Sequence, residues 1–360
     1  MKMLFFHTSK IVEFLYLWGM LKKVLVTGGA GYIGSHTVVE LFNAGYEPVL
    51  LDDFRNSNES VIDGLSNILG DRPELLKHDV CNTDYLRDYI RKHEVCGIIH
   101  FAAYKAVGES VENPLRYYQN NVEGLVSILK IVSENPEIPF VFSSSCTVYG
   151  EPQGQKEVSE KTPKTIPTSP YGFTKWLGEK IIDDLFFSQK KLRLMSLRYF
   201  NPIGAHSSTQ IGELPIGKPN NLLPFITQTA AGLHEKLTIF GDSYPTIDGT
   251  CVRDYIHVVD LAEAHVKALD YLINAKDGCH EIVNIGTGNG SSVLQVVNAF
   301  EKVNDIKLNY EFGPNRPGDV IEIYASVDYA KKLLGWSAKK TINDAVKDAW
   351  NWEKSIRSIK

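Results

Sequence analysis

The run Val26-Thr27-Gly28-Gly29-Ala30-Gly31-Tyr32-Ile33-Gly34 constrains this chain more than any other segment. A short apolar strand, residues 24–27, leads into it, and a helical period, residues 33–44, leaves it. Gly28, Gly31 and Gly34 form G-x-x-G-x-x-G. Such glycines permit a tight turn and let backbone approach a pyrophosphate, while the helix N-terminus offers free N–H groups and partial positive charge. A second strand, 48–51, ends in Asp52-Asp53, and Asp52 lies eighteen residues beyond Gly34. A carboxylate there binds a ribose 2′-hydroxyl and repels a 2′-phosphate, which favours NAD over NADP. Arg55 nearby keeps the phosphorylated cofactor open.

Residues 75–80, 97–101 and 139–143 also read as strands, with helical periods between them, the longest over 114–132. Apolar strands alternating with helices predict a parallel sheet covered on both faces, the doubly wound α/β (Rossmann) class. After a strand at 192–199, Pro, Gly and Asn become frequent between Asn201 and Gly249. That texture predicts a smaller, irregular C-terminal substrate-binding lobe. The expected division is an extension at 1–19, a cofactor-binding domain at 20–199 and a lobe at 200–360, with segments such as 281–285 returning to the main sheet.

A net charge of −5 over 360 residues leaves no basic excess, which argues against a nucleic-acid binder. No apolar run reaches the ~20 residues that span a bilayer. Cys81, Cys96, Cys146, Cys251 and Cys279 are scattered, without CxxC or zinc spacing, so neither a disulfide framework nor a metal is expected. A reducing cytoplasm fits. Met20, directly before Leu21-Lys22-Lys23 and the first strand, looks like a natural start, so residues 1–19 read as an extension outside the chemistry. The competing reading is a membrane-surface anchor, because Phe14, Tyr16 and Trp18 are interfacial residue types.

The candidate chemistry lies in Ser169-Pro170-Tyr171-Gly172-Phe173-Thr174-Lys175. Ser169 suits an N-cap and Pro170 the first helical position, which sets Tyr171 and Lys175 four apart on one helical face. A tyrosine acting as a base must lose a proton whose reference pKa is about 10. A lysine ammonium one turn away and a place in the first helical turn both favour the phenolate. Ser143-Ser144-Ser145 closes the fifth strand, at the sheet edge where ligands of doubly wound folds bind, and Ser145 is positioned to share a hydrogen bond with a substrate hydroxyl.

These residues carry a resemblance. The chain resembles the extended short-chain dehydrogenase/reductases and, within them, the UDP-glucose 4-epimerase family, from Lys22 to the C-terminus. The blocks that carry it are VTGGAGYIGSH at 26–36, HFAAYKAVGESV at 100–111, SSSCTVYG at 143–150, SPYGFTK at 169–175, LRYFNPIGAH at 197–206 and DGTCVRDYIHVVD at 248–260. The resemblance implies tightly held NAD, inversion at C4 of a UDP-hexose, and a homodimer paired through the helices near 114–132 and 170–187. Matched residue by residue, Gly28, Gly31, Tyr32, Ile33 and Gly34 cradle the cofactor. Asp52, Asp53, Phe54, Asn56 and Ser57 fall on its adenosine side, with Asp79 and Val80 beside the adenine. Phe101, Ala102, Ala103, Tyr104, Lys105, Asn120 and Phe200 match the stretch along it, and Ser145, Tyr171 and Lys175 match the catalytic positions. Asn201, Asn221, Leu222, Thr238, Ile239, Phe240, Arg253, Arg316 and Asp319 match the nucleotide-sugar positions, and counting on from Asp319 places Ile323 at a position that lines the sugar pocket in the family. Two departures stand near the site: Cys146 where alanine is usual, and one extra residue between Ser145 and Tyr171.

Rival readings make different demands. A nucleotide-sugar 4,6-dehydratase needs an Asp-Glu pair after the fifth strand, where this chain has Cys146-Thr147. An N-acetylhexosamine or glucuronate epimerase differs in its sugar pocket. A dehydrogenase releases its reduced cofactor, and a non-catalytic NAD sensor tends to lose the tyrosine or the lysine.

Overall fold

The computed structural model describes residues 22–152, 154–315 and 319–359. The extension at 1–19 and Arg316 lie outside the described residues. The first half alternates as read: β1 (Lys23–Thr27), helix α1 (Tyr32–Asn43), β2 (Glu47–Leu51), β3 (Glu74–Leu76), β4 (Val95–His100), helix α2 (Gly124–Glu134) and β5 (Phe140–Ser143). A two-residue strand β6 (Glu157–Val158), helix α3 (Pro170–Ser188) and β7 (Arg193–Tyr199) follow.

Seven parallel strands form the main sheet in the order β12-β7-β5-β4-β1-β2-β3, where β12 (Cys279–Ile285) is the late segment that returns. Strand order reverses between β1 and β4, so the loops after these two strands diverge and leave a crevice at their carboxyl ends. Strand alternation sorts the apolar run of β1. Val24 and Val26 face α1 and the helix Val258–Asn274, in a cluster with Leu41, Leu261 and Leu269. Leu25 faces the other layer, with Leu125, Ile128 and Ile182 from α2 and α3. Two covered faces explain why Val24, Leu25 and Val26 form an unbroken apolar run.

Two expectations are corrected. The third strand ends at Leu76, because Asp79 accepts the Cys81 N–H at 2.8 Å and the Asn82 N–H bonds Asp79 O at 3.0 Å, turning the chain away. The helix expected over 114–132 is broken into Pro114–Tyr117, a π-helical turn Tyr118–Glu123, and α2. Buried Asn121 sits in that turn and holds both the N–H (2.8 Å) and the O (3.0 Å) of Tyr104. A π-turn re-aims one side chain without ending the helix, and such turns recur at functional sites.

Beyond β7 come β8 (Asn201–Ile203), helix α4 (Leu222–Ala230), β9 (Leu237–Phe240), β10 (Val252–Arg253) and β11 (Tyr255–His257). Later come β13 (Ser291–Ser292), β14 (Tyr310–Gly313) and β15 (Glu322–Ala325). They make a four-stranded sheet, β13-β10-β15-β6, and two short pairs, β11-β8 and β14-β9. A separate cluster that includes Ile226, Tyr255, Phe300 and Trp350 is their core.

Candidate active site

The glycine loop is shaped by close approach. Gly28 has φ +69°, and a Cβ on it would stand 2.8 Å from Ala102 N. A Cβ on Gly34 would stand 2.1 Å from Gly28 O. The loop is therefore pressed between the end of β4 and the first turn of α1, whose N-cap Gly31 makes no side-chain cap. The first-turn amides face the crevice without a capping side chain, the arrangement that suits a pyrophosphate. The side chains of Tyr32 and Ile33 are used elsewhere: the Tyr32 hydroxyl donates to Gly204 O at 2.7 Å, and Ile33 packs on the core.

Asp52, at the end of β2, accepts the N–H groups of Ala30 (3.0 Å) and Phe54 (2.9 Å) and the Ser57 hydroxyl (2.8 Å). Burial raises its carboxyl above the usual range against these donors. Arg55 pairs with both Asp53 and Asp79 and donates to Asn120 Oδ1 at 3.0 Å. The arginine that kept NADP open is thus neutralised by two carboxylates and ties three of the cofactor-matched positions together. Val80 packs against Gly124, where a Cβ would meet it at 2.9 Å, and Asn56 is exposed. Along the crevice, Phe101 lies against His265, the Ala102 N–H points to Thr27 Oγ1 at 3.4 Å, and Ala103 is half-buried. These residues fit a dinucleotide.

Ser169 caps α3 by accepting the Gly172 N–H at 3.1 Å, with Pro170 at the helix start, so Tyr171 and Lys175 come to one buried face as expected. Lys175 Nζ donates to Ser143 O at 2.7 Å. Ser145 accepts the Thr147 N–H at 3.2 Å, and its hydrogen bonding to Tyr171 favours the phenolate. The expected electrostatics are corrected. Burial dominates and pushes the Tyr171 phenol well above 10, with buried Tyr199 beside it. Burial also lowers Lys175 to about 7. Desolvation disfavours both charged forms, and the lysine nitrogen is turned to the Ser143 carbonyl.

On the opposite wall, Lys105 and Asn221 donate to one oxygen of Glu213, at 2.7 and 2.5 Å. Asn201 pairs with Tyr255, and Arg253 donates to Val252 O at 2.9 Å. Leu222 begins α4, half-buried Thr238 and partly exposed Phe240 lie on β9, and Asp319 is half-buried near Cys251. The side chain of Ile239 is core, so only its backbone faces outward. Ile323 is 4% exposed and shares a cluster with Phe200, Val148 and Tyr149, while Tyr324 lies against Gly290. Sequence reasoning missed Asn121, Glu179, Arg198, Glu213 and Asp254. Asp254 is fully buried and accepts from Thr287, Gly288 and Ala325. Two of these had a signal: Arg198 interrupts an apolar strand, and Glu179 lies one turn beyond Lys175 on the buried face.

Comparison with known proteins places this geometry. The family model described as GDP-mannose 4,6 dehydratase matches residues 25–349. A UDP-glucose 4-epimerase of Drosophila melanogaster is 47% identical over 336 residues, covering 92% of this chain and 96% of its own. One from Bacillus subtilis is 46% identical, covering 92% and 97%. The Stenotrophomonas maltophila UDP-glucose-4-epimerase structure, with bound NAD and formylated UDP-arabinopyranose, superposes with TM-score 0.90 at 41% identity over 94% of this chain and all (100%) of that one. The Bifidobacterium longum enzyme in complex with NAD+ and UDP gives 0.88 at 40% identity, covering 93% and 98%.

Proposed function

This chain belongs to the UDP-glucose 4-epimerase family of extended short-chain dehydrogenase/reductases, and from that premise we propose how its residues perform the reaction. The protein is an NAD-dependent isomerase that interconverts UDP-glucose and UDP-galactose through a 4-keto sugar. The observation that carries the reading is the convergence of Tyr171, Lys175 and Ser145 at the carboxyl end of β5, across the crevice from the glycine loop.

The loop after β1 and Asp52 would hold NAD, which when bound would accept the C4 hydride and give it back. Tyr171 takes the proton of the C4 hydroxyl and returns it after the hexose has presented its other face. Ser145 orients that hydroxyl. Lys175, one helical turn beyond Tyr171 and held by Ser143 O, supplies positive charge to the site. Its nitrogen near pKa 7 makes that charge easy to lose as the site becomes more alkaline. Asn201, Asn221 and Arg253 hold the UDP while the sugar turns, and a guanidinium suits a diphosphate. Cys146-Thr147 sits in a 3-10 turn directly after Ser145, where a dehydratase needs its acid–base pair.

We propose that the protein is a homodimer: Val107, Val111 and Leu115, the last 80% exposed, are exposed apolar residues on the short helices Val107–Glu112 and Pro114–Tyr117, at the start of a segment that pairs in the family. Light scattering that finds a monomer at micromolar concentration overturns this. The site of action is the cytoplasm; the five cysteines are free, and no helix among the described residues is long and apolar enough to cross a membrane. The direct test of function is incubation of purified protein with UDP-galactose and no added cofactor. Formation of UDP-glucose is expected. No conversion by protein that carries NAD refutes the assignment.

A further inference from the structure

Three consecutive serines at the end of β5 meet three residues spaced four apart on α3. Ser143 O accepts from Lys175 Nζ at 2.7 Å. Ser145 acts on the phenol of Tyr171. Between them, the Ser144 hydroxyl donates to Glu179 Oε1 at 2.6 Å. The first and third contacts belong to the chemistry above; the second has no part in it.

Glu179 is 0% exposed, and its partner Arg198 is 2% exposed. The guanidinium grips both carboxylate oxygens, Nε to Oε1 at 2.8 Å and Nη2 to Oε2 at 2.7 Å, and Lys164 Nζ reaches Oε2 at 3.0 Å. Four donors therefore converge on one buried carboxylate, which suits the ionised form despite burial. Arg198 also donates to the Tyr149 hydroxyl at 3.0 Å, which donates to Asn284 at 2.6 Å. Arg198 immediately precedes Tyr199, which stands against Tyr171. Next to Glu179, Gly178 lets α3 lie close to β5: a Cβ there would meet the Phe142 ring and Leu125 at 2.9 Å each. Gly178 thus sets the distance between helix and sheet, and Glu179 sets their register. Arg198 and Lys164 neutralise the carboxylate, so Glu179 acts through position.

We infer that Glu179 is a positioning residue for proton transfer: by holding Ser144 and Arg198 it aligns Ser145 and Tyr199 on the Tyr171 hydroxyl, without touching substrate or cofactor. The inference rests on the roles proposed for Tyr171 and Ser145. Its test therefore includes a readout that needs no sugar.

In the NAD-loaded protein, ultraviolet difference titration follows tyrosinate, and the signal lost in Tyr171→Phe is that of Tyr171. The groups facing this phenol are Tyr199, Ser145 and Cys146. Ser144→Ala is expected to raise the Tyr171 midpoint by about half a pH unit, the value of one weakened hydrogen bond. It should lower kcat about tenfold, with KM for UDP-galactose within about twofold and NAD content unchanged. Ser144→Thr, which restores the hydroxyl, should recover both. Glu179→Gln should move the midpoint further in the same direction, with folding checked by its melting temperature. An unchanged midpoint in both Ser144→Ala and folded Glu179→Gln overturns the inference. So does a loss in Ser144→Ala that appears as lost NAD or as a raised KM with normal kcat, because that is the signature of a structural role. If the unmodified protein shows no epimerase activity yet Ser144→Ala still shifts the Tyr171 midpoint, the proposed function fails and the positioning role stands.

Discussion

Arg253 and Ile323 are register partners on the adjacent parallel strands β10 and β15. Partners in a parallel ladder project to the same face, so Ile323 shares the face of the arginine proposed to hold the diphosphate, and Tyr324 takes the other. Isoleucine is stiff at χ1, and its packing with Phe200 and Tyr149 leaves little room to rotate away. Overpacking such a site costs about 1–3 kcal/mol, or ~5- to 150-fold. The protein should prefer UDP-glucose and UDP-galactose over the N-acetylated sugars by that factor. Ile323→Ser should raise acetylated activity and Ile323→Tyr abolish it. Equal kcat/KM for both sugar classes in the unmodified protein removes Ile323 from the pocket.

Tyr171→Phe deletes the one group proposed to carry the C4 proton. Turnover should fall by ~10²–10⁴ while NAD content stays normal, because the ring still fills its buried place. Near-normal turnover with NAD bound would falsify the assignment.

The glycine loop and the Tyr171–Lys175 pair were legible because their geometry is local: a turn, a capped helix and a four-residue spacing. The residues that hold them were not. Asn121 grips Tyr104, Arg198 grips Glu179, and Glu213 gathers Lys105 and Asn221, all between segments whose meeting only the tertiary fold decides. The interrupted helix at Tyr118–Glu123 is invisible to a 3.6 period for the same reason, since the buried bonds of Asn121 lie outside the helix. The upward shift of Tyr171 was missed because desolvation depends on what covers the ring.

Acid should weaken the fold from near neutrality. Burial lowers His36 and His100 to about 3 and His265 to about 4. In the unfolded chain these rings take up protons near pH 6.5; in the folded chain they do not until near 3–4. Between those limits the unfolded state binds more protons, so the stability tied to these neutral histidines is full above about pH 6.5 and falls as pH drops toward 3. Glu40, raised to about 6 by burial, opposes the loss within this interval but is one group against three, and Asp52 and Asp254, whose folded carboxyls are also raised, oppose it as well. The urea midpoint should be lower at pH 5.5 than at pH 7.5. A flat or rising midpoint over that interval contradicts the neutral state of these histidines.

Glu213 joins the cofactor-side Lys105 to the substrate-side Asn221 through one carboxylate oxygen. The Lys105 contact is half open to solvent, so its charge term is screened and the amide contact should dominate. Asn221 is also the N-cap residue of α4, so losing its anchor frees the start of that helix. A hydrogen bond to a charged group contributes about 1.5–3 kcal/mol, part of which water recovers at an exposed residue. Glu213→Ala should therefore raise the Kd for UDP about five- to tenfold in NAD-loaded protein. Glu213→Gln keeps an oxygen for the Asn221 amide and should raise it by less than half as much. Calorimetry on both variants separates anchoring from charge: if both bind UDP more tightly than the unmodified protein, Glu213 acts mainly by repelling the diphosphate.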